Sequence, residues 1–261
     1  MIKVGFIGTG NMGAALARAA SKASGAEIYL YDKDEKKARA LANELCASCV
    51  SFDEVCASDL VFLAVKPNVI KDVAMSVRSQ LKKGAAVVSM AAGVSLSMLS
   101  LPLGATPIIR IMPNTPAACG AGTMVYTKNE NVTEAMLENF KTVMTPSGLL
   151  DEIPESLIDA ASALSGCGPA FVYMFIEALA DGAVACGLPR DKALSYAVET
   201  VRGAAEMVKT TGEHPEALKD KVCSPGGSTI AGVHELEVGG LRGVAQNAVI
   251  AAYKKTLSLG K

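Results

Sequence analysis

A glycine-rich turn is the first segment whose residue types and spacing indicate chemistry. It reads Gly8-Thr9-Gly10-Asn11-Met12-Gly13 and follows a short apolar run at residues 4–7. Between a strand and a helix, a G-x-G-x-x-G turn is typical of dinucleotide binding: the first glycine permits the tight bend, the second lets the backbone approach a pyrophosphate, and the third lets the helix pack on the sheet. The free amides and dipole of the helix then bind the phosphates. Glycines that only punctuate an ordinary βα turn are the alternative.

Two charged residues end the next apolar run, and they favour opposite cofactors. Asp32 lies where a carboxylate typically accepts hydrogen bonds from the adenosine ribose hydroxyls, which favours NADH. The adjacent Lys33 places an ammonium where a 2′-phosphate would lie, which favours NADPH. We therefore predict that both cofactors are used, with NADH at least competitive.

Later strand ends carry small residues and prolines that leave room for a flat nicotinamide. They read Ala64-Val65-Lys66-Pro67, Met90-Ala91-Ala92-Gly93 and Met112-Pro113-Asn114-Thr115-Pro116. Ligands of open parallel sheets bind outside the carboxyl ends of the strands. Lys66 is expected to reach phosphate or ribose; a solvated loop lysine is the alternative.

A second small-residue turn, Ser224-Pro225-Gly226-Gly227-Ser228-Thr229, precedes a helical pattern. Its free amides would form an anion pocket suited to a carboxylate. Its alternative is a plain helix cap in which Ser224 caps the helix.

Elements that position these residues alternate between strand and helix up to about Pro154. Apolar runs predict strands, and apolar residues at three- and four-residue spacing predict helices. The predicted strands are residues 4–7, 28–31, 60–65, 86–90, 108–112 and 123–126, and the predicted helices are residues 12–24, 35–45, 69–81 and 134–144. The pattern indicates an α/β fold with a doubly wound, Rossmann-type parallel sheet in a dinucleotide-binding domain, residues 1–154.

Beyond Pro154 the strand-like runs end, which predicts an all-helical second domain, residues 155–261. One segment, residues 170–186, is apolar almost all round, with only Glu177 and Asp181 charged. A helical domain of roughly 100 residues is too small to bury such a helix alone, so we expect a second copy of the chain to cover it.

Composition limits the function classes. The 25 basic and 26 acidic residues sum to a charge of -1, so no field concentrates nucleic acid or anionic lipid.

The N-terminal residues lack the features of a secretory signal, which predicts a cytoplasmic protein. Residues 160–176 form an uncharged stretch that is shorter than the roughly 20 residues of a membrane span. Seven cysteines and two histidines supply no convincing zinc site; Cys46 and Cys49 lack a second pair, and small apolar thiols are the better interpretation.

Taken together, five motifs resemble those of the pyrroline-5-carboxylate reductase family along essentially the whole chain. They are Gly5-Phe6-Ile7-Gly8-Thr9-Gly10-Asn11-Met12, Ala64-Val65-Lys66-Pro67, Arg110-Ile111-Met112-Pro113-Asn114-Thr115-Pro116, Leu164-Ser165-Gly166-Cys167-Gly168-Pro169-Ala170 and Ser224-Pro225-Gly226-Gly227-Ser228-Thr229-Ile230. Only the first is common among other dehydrogenases; the last two are specific to this family.

The resemblance implies a Rossmann domain and a helical domain that interlocks with its twin in a homodimer, often within a decamer of five dimers. It implies a reaction: L-1-pyrroline-5-carboxylate and NADPH or NADH give L-proline. It also implies an active site between the cofactor domain of one chain and the helical domain of its partner.

The candidate residues come from the motifs and the resemblance together. Cofactor candidates are Ile7, Gly8, Thr9, Gly10, Asn11, Met12, Gly13, Asp32, Lys33, Ala64, Val65, Lys66, Pro67, Met90, Ala91, Ala92 and Asn114. Substrate candidates are Glu155, Ser224, Gly226, Gly227, Ser228 and Thr229. No histidine lies in any motif, so we expect catalysis mainly by orientation, with the imine already protonated or protonated through the Thr229 hydroxyl and water.

Two positions depart from the family pattern. Cys167 stands where a serine is common, and Lys221 stands where an asparagine is frequent. A hydroxyl contact at position 167 is therefore in question, and Lys221 either adds phosphate affinity or faces solvent.

Two other functions remain open from the sequence. A β-hydroxyacid dehydrogenase has a similar glycine turn, but its catalytic lysine near the start of the helical domain has no counterpart in Ser165-Gly166-Cys167-Gly168-Pro169. A sensor that binds NAD(P)H without chemistry is the second alternative, and the carboxylate-sized pocket argues against it.

Overall fold

The computed structural model describes residues 1–259, and one eight-stranded sheet organises its N-terminal part. Its strands are β1 (Ile2–Ile7), β2 (Ala26–Tyr31), β3 (Ser48–Cys49), β4 (Leu60–Leu63), β5 (Ala86–Ser89), β6 (Ile108–Met112), β7 (Gly122–Lys128) and β8 (Gly148–Glu152). They lie in the order β3-β2-β1-β4-β5-β6-β7-β8. The reversal of strand order beside β1 is the switch point at which doubly wound sheets bind their ligands. The predicted fold class is confirmed.

One strand pair corrects the prediction of a wholly parallel sheet. β7 runs antiparallel to β6, with Ile111 opposite Tyr126, and every other neighbouring pair in the sheet is parallel. A parallel connection requires a crossover of a dozen or more residues. Between β6 and β7 the chain has only a short segment with one 3₁₀ turn, Thr115–Cys119, so the strand must reverse.

Six helices flank the sheet up to β8. They are α1 (Asn11–Ala20), α2 (Glu35–Leu45), α3 (Phe52–Cys56), α4 (Ile70–Gln80), α5 (Leu96–Leu103) and α6 (Glu134–Met144). Side chains of the central strands alternate between two cores, as the pleat requires. On β4, Leu60 and Phe62 pack in the core shared with α1, α2 and α6, whereas Val61 and Leu63 pack in the core shared with α3, α4 and α5.

Six further helices follow β8. They are α7 (Glu155–Ala161), α8 (Gly168–Ala185), α9 (Arg190–Thr211), α10 (Pro215–Val222), α11 (Ser228–Val238) and α12 (Leu241–Leu259), with a π-helical turn at Ser162–Gly166 between α7 and α8. The chain forms two compact units, one of Met1–Pro169 with the C-terminal segment from Ala252, and one of Ala170–Ala251. The division into domains 1–154 and 155–261 stays a prediction.

The Ala170–Ala251 unit buries few of its own side chains. Its buried apolar cluster consists of Ala180, Ala193 and Ala197. Along α8, by contrast, Met174 is 71% exposed and Tyr173 is 59% exposed. The burial that the composition of this helix predicts is therefore not supplied by the described residues of a single chain.

α7, the π turn and α8 form a continuous helical run, Glu155–Ala185, of 31 residues. By length and composition alone this run is sufficient to cross a membrane. It is longer than the uncharged stretch considered from the sequence because the helix continues through the Gly-Cys-Gly-Pro segment. A helix that packs against a second protein chain has the same composition, so the run does not distinguish the two.

Candidate functional site

Each of the three glycines in the first turn is needed for a different geometric reason. Gly8 has φ +102, and a Cβ added there would lie 2.4 Å from the carbonyl oxygen of Ala64. A Cβ on Gly13 would lie 2.3 Å from the carbonyl oxygen of Gly8. A Cβ on Gly10 would meet nothing within 4 Å. The outer glycines are thus required by the fold itself, whereas the middle one keeps open a space that a pyrophosphate fits.

The start of α1 is an open anion site. Gly10 is the N-cap residue and has no side chain to cap the helix. Ala14 is the first residue whose amide donates back along the turn, to Gly10. The amides of Asn11, Met12 and Gly13 therefore point out of the helix N-terminus, where the dipole also favours negative charge.

Asp32 fixes the glycine turn from the end of β2. The amide and hydroxyl of Thr9 donate to Asp32 Oδ2 at 2.6 and 3.0 Å, and the amide of Asp34 donates to Oδ1 at 2.9 Å. Partial burial alone would raise the pKa of Asp32, but these hydrogen bonds favour the ionised form more strongly, so the net pKa is lowered. The carboxylate thus holds the turn as well as standing at the predicted ribose position.

A cleft of about 720 Å³ opens at the carboxyl ends of β1, β2 and β4. Eight candidate cofactor residues line it: Ile7, Gly8, Gly10, Asp32, Lys33, Ala64, Val65 and Lys66. Lys33 and Lys66 are both exposed, so their ammonium groups are free to move toward a ligand. As predicted, the glycine turn and the carboxyl ends of β2 and β4 lie around one cleft.

Seven residues of the cleft wall were missed from the sequence: Tyr31, Phe52, Val69, Asp72, Val73, Ser76 and Gln80. Four of them, from Asp72 to Gln80, recur at one-, three- and four-residue spacing on α4, so one face of that helix forms the wall. The spacing was readable, but it was interpreted only as helix packing. Phe52 was missed because the five-residue α3 was not predicted; its ring packs edge-on against Tyr31 at 5.3 Å.

Other cofactor candidates lie away from that wall. Thr9 is buried against Asp32, and Asn11 and Met12 begin α1. Pro67 begins a 3₁₀ turn after β4. At the end of β5, Ala91 is 2% exposed in the core, and its neighbours Met90 and Ala92 are partly buried.

Asn114 is largely occupied by protein partners. Its side-chain oxygen accepts from the amide of Thr123, and its amide group donates to the carbonyl oxygen of Ser165, both at 2.9 Å. It therefore links the β6–β7 connection to the π turn at Ser162–Gly166. A cofactor contact by Asn114 stays a prediction.

Glu155, the first residue of α7, lies in an ion cluster of the sheet-containing unit. The guanidinium of Arg110, on β6, donates to Glu155 Oε1 at 2.9 Å and to Asp159 Oδ1 at 3.0 Å. The Arg110 side chain is only 4% exposed, and that of Glu155 is 33% exposed. The sequence had a signal for this cluster: an arginine among apolar residues of a buried strand requires carboxylate partners.

The second small-residue turn leaves the start of α11 uncapped. The N-cap residue is Gly227, and no side chain accepts from the helix amides. The alternative in which Ser224 caps the helix is therefore wrong. Ser224 packs beneath Gly227, where a Cβ would lie 2.3 Å from the serine Oγ. Gly226 turns the backbone at φ +68, Ser228 is exposed, and Thr229 is half-buried.

The two departures from the family pattern have different surroundings. Cys167 is a free, partly buried thiol at the end of the π turn. Lys221 donates to Glu213 at 2.5 Å on an exposed surface. Its ammonium therefore has a carboxylate partner within the helical unit.

Comparison with known proteins identifies the family. A pyrroline-5-carboxylate reductase dimerisation model matches residues 155–259, and a coenzyme F420-dependent NADP oxidoreductase model matches residues 3–93. A pyrroline-5-carboxylate reductase from Pisum sativum is 42% identical, over 98% of this chain and 95% of the relative. The chain belongs to the pyrroline-5-carboxylate reductase family. A pyrroline-5-carboxylate reductase from Escherichia coli strain K12 is 41% identical, over 99% of this chain and 98% of the relative.

The fold of this family matches along the full length. A crystal structure of the Plasmodium falciparum pyrroline carboxylate reductase with NADP bound has a TM-score of 0.90 and 33% identity, covering 100% of this chain and 98% of that one. The match includes the helical region as well as the sheet, so the resemblance predicted from the motifs is confirmed.

Proposed function

We propose that this protein reduces the C=N bond of L-1-pyrroline-5-carboxylate to give L-proline, with NADPH or NADH as the reductant. The observation that carries this is the glycine turn: its middle glycine faces open space above the free amides of α1, in a chain 42% identical to a pyrroline-5-carboxylate reductase over almost its whole length. The open space and the amides fit a pyrophosphate.

When bound, the dinucleotide supplies a hydride to the imine carbon. The chain's own residues bind and orient it. The amides of Asn11–Gly13 would hold the pyrophosphate, and Asp32 and Lys33, at the end of β2, would lie beside the adenosine ribose. Asp32 repels a 2′-phosphate and Lys33 attracts it, so we expect both cofactors to be used; an NADPH preference above about a hundredfold would reject dual use.

The turn at residues 224–229 supplies the substrate contacts in this proposal. The uncapped amides at the start of α11 suit the substrate carboxylate. Thr229 is half-buried just inside that helix. It is assigned to donate its hydroxyl proton to the ring nitrogen, which gains a free lone pair when the hydride reaches the neighbouring carbon, with water completing the relay.

Homodimerisation accounts for the composition of the helical region. The dimerisation model covers residues 155–259, and the apolar face of α8 is exposed in the single chain. Burial of such a face against a second copy is favourable at roughly 25 cal/mol per Å². We extend the proposal to intertwined helical domains, a decamer of five dimers, and a soluble cytoplasmic enzyme that binds neither nucleic acid nor membrane.

A steady-state assay tests the function. Purified protein is mixed with pyrroline-5-carboxylate and each reduced cofactor, and the loss of reduced-nicotinamide absorbance is followed together with the proline formed. The proposal expects one proline per cofactor oxidised. A sensor would bind NADPH without consuming it, and a β-hydroxyacid dehydrogenase would oxidise hydroxy acids instead.

The assigned role of Thr229 has its own test. Thr229→Ala should lower turnover by about 10- to 100-fold while the Kd for NADPH changes by less than about twofold, because the hydroxyl acts on the reacting nitrogen. Thr229→Ser, which keeps the hydroxyl, should restore most of the rate. An unchanged rate in Thr229→Ala would remove this residue from the mechanism.

A further inference from the structure

Arg110 is the most deeply buried charged side chain of the cluster formed by Arg110, Glu155 and Asp159. Its two terminal nitrogens bind one carboxylate each, at 2.9 and 3.0 Å. Its Nε is buried and has no hydrogen-bond partner within residues 1–259. The guanidinium is therefore held by its outer edge alone, and both partners lie on α7, one helical turn apart.

The hydrogen bonds of Glu155 converge on one of its two oxygens. Oε1 accepts from Arg110 and also from the amide of Leu96, at 2.7 Å. No partner of Oε2 is present in the described part of the chain, and the side chain is 33% exposed. Leu96 begins α5, so one oxygen joins β6, α5 and α7 while the other is available to a ligand.

The charge of the cluster indicates what that ligand carries. One guanidinium faces two carboxylates, so the cluster has a net charge of -1, and both carboxylate side chains are partly exposed. A partly desolvated excess of negative charge favours a cationic group. Pyrroline-5-carboxylate with a protonated imine, and its product proline, both carry a cationic nitrogen.

We propose that Arg110 is a positioning residue, which holds Glu155 by Oε1 and presents Oε2 to the cationic ring nitrogen of the substrate. The inference rests on the proposed function and adds to it a residue that does not itself touch the substrate. Arginine is required because its planar fork reaches both carboxylates in fixed directions; a lysine ammonium is a single point charge on a flexible stem.

Two variants test the role of the guanidinium. Arg110→Lys keeps the charge but not the fork. The double variant R110Q/D159N removes the guanidinium and one carboxylate together, so the net charge of -1 is kept. Arg18→Lys is the matched control, because Arg18 makes a two-point pair with Glu44 at 2.6 and 2.8 Å on the surface of the same unit.

The readout is the KM for each substrate, measured separately. In both Arg110 variants the KM for pyrroline-5-carboxylate should rise about tenfold or more, with the KM for NADPH within about twofold of wild type. Arg18→Lys should change neither. If either folded Arg110 variant shows a lower melting temperature but an unchanged imine KM, the role is structural only and the inference is overturned.

A double-mutant cycle separates action through Glu155 from direct action. If Arg110 works by holding Glu155, adding Arg110→Lys to Glu155→Gln should raise the imine KM little further. Fully additive effects would contradict the inference. Failure of the proposed function itself is recognised earlier, because the wild-type enzyme would then form no proline.

Discussion

The two compact units differ in how completely each buries its own apolar side chains. The sheet-containing unit buries Phe6, Phe62 and Phe140 completely, and its sheet has a core on each face. The Ala170–Ala251 unit buries three alanines and leaves Tyr173 and Met174 exposed. The first unit is stabilised by its own core, whereas the second relies on burial against another chain.

The same contrast separates the two turns that we propose to bind anions. The Gly8–Gly13 turn is fixed from below by Asp32 and Ala64, and its outer glycines admit no side chain. The turn at residues 224–229 precedes α11, in which no residue is buried. The Gly8–Gly13 turn is therefore fixed within one chain, whereas we expect the turn at residues 224–229 to depend on burial of its helix against a second copy.

The largest expected effect comes from placing a charge on the exposed face of α8. Met174→Asp should convert the dimer to monomer and lower activity by about 100-fold, because an unpaired buried carboxylate costs several kcal/mol. Sedimentation and the proline assay measure both. Met75→Asp is the control, since Met75 is an exposed methionine on α4 of the other unit, at 48% exposure.

If Met174→Asp remained dimeric and active, the apolar face of α8 would not be an interface. If the control Met75→Asp lost the dimer as well, the effect would not be specific to the α8 face.

A second prediction concerns the glycine turn, which we expect to fail in two different ways. Gly10→Val should raise the Kd for NADPH by about 100-fold, equivalent to about 2.7 kcal/mol, with little change in melting temperature, because its side chain fills the pyrophosphate space. Gly13→Val should unfold the sheet-containing unit, because its Cβ would overlap the carbonyl oxygen of Gly8. Cofactor titration and thermal melts distinguish the two. Equal melting temperatures for both variants would contradict this assignment.

The smallest effect is expected at Asp32. Its pKa is lowered from 3.8 in the folded state, so the ionised carboxylate contributes stability that is fully present above about pH 4 and is lost as the pH falls through the folded pKa. Asp32→Asn should destabilise the protein at pH 7 by about 1 kcal/mol, since a charge-assisted hydrogen bond becomes a neutral one. Denaturant unfolding at pH 7 and pH 3 measures it. If the difference in unfolding free energy between the wild type and Asp32→Asn grew from pH 7 to pH 3, the prediction would be contradicted.

The sequence predicted the central features because each has a strong local signal. The strand before Gly8 and the helix after Gly13 predicted the conformation of the glycine turn, and Asp32 at the end of the second strand predicted the far side of the cleft. The edge strands β3 and β8 were missed because neither carries a buried residue, and β3 has only two residues.

Contacts between residues far apart in the chain were harder to predict from the sequence. The Arg110 cluster joins residues 45 and 49 positions apart, and no local pattern states which carboxylates reach a buried arginine. The exposure of α8 likewise appeared only in the folded single chain, although its uniform apolar composition predicted that something must cover it. Local geometry was therefore predictable, and pairing across the chain was not.

Transfer of an isotopic label tests the central claim most directly. The enzyme is supplied with pyrroline-5-carboxylate and NADPH in which both hydrogens of the reactive nicotinamide carbon are deuterium, and the proline is analysed by mass spectrometry and NMR. We expect one deuterium on the ring carbon that was double-bonded to nitrogen. Proline with no deuterium at that carbon, or no proline at all, would contradict it.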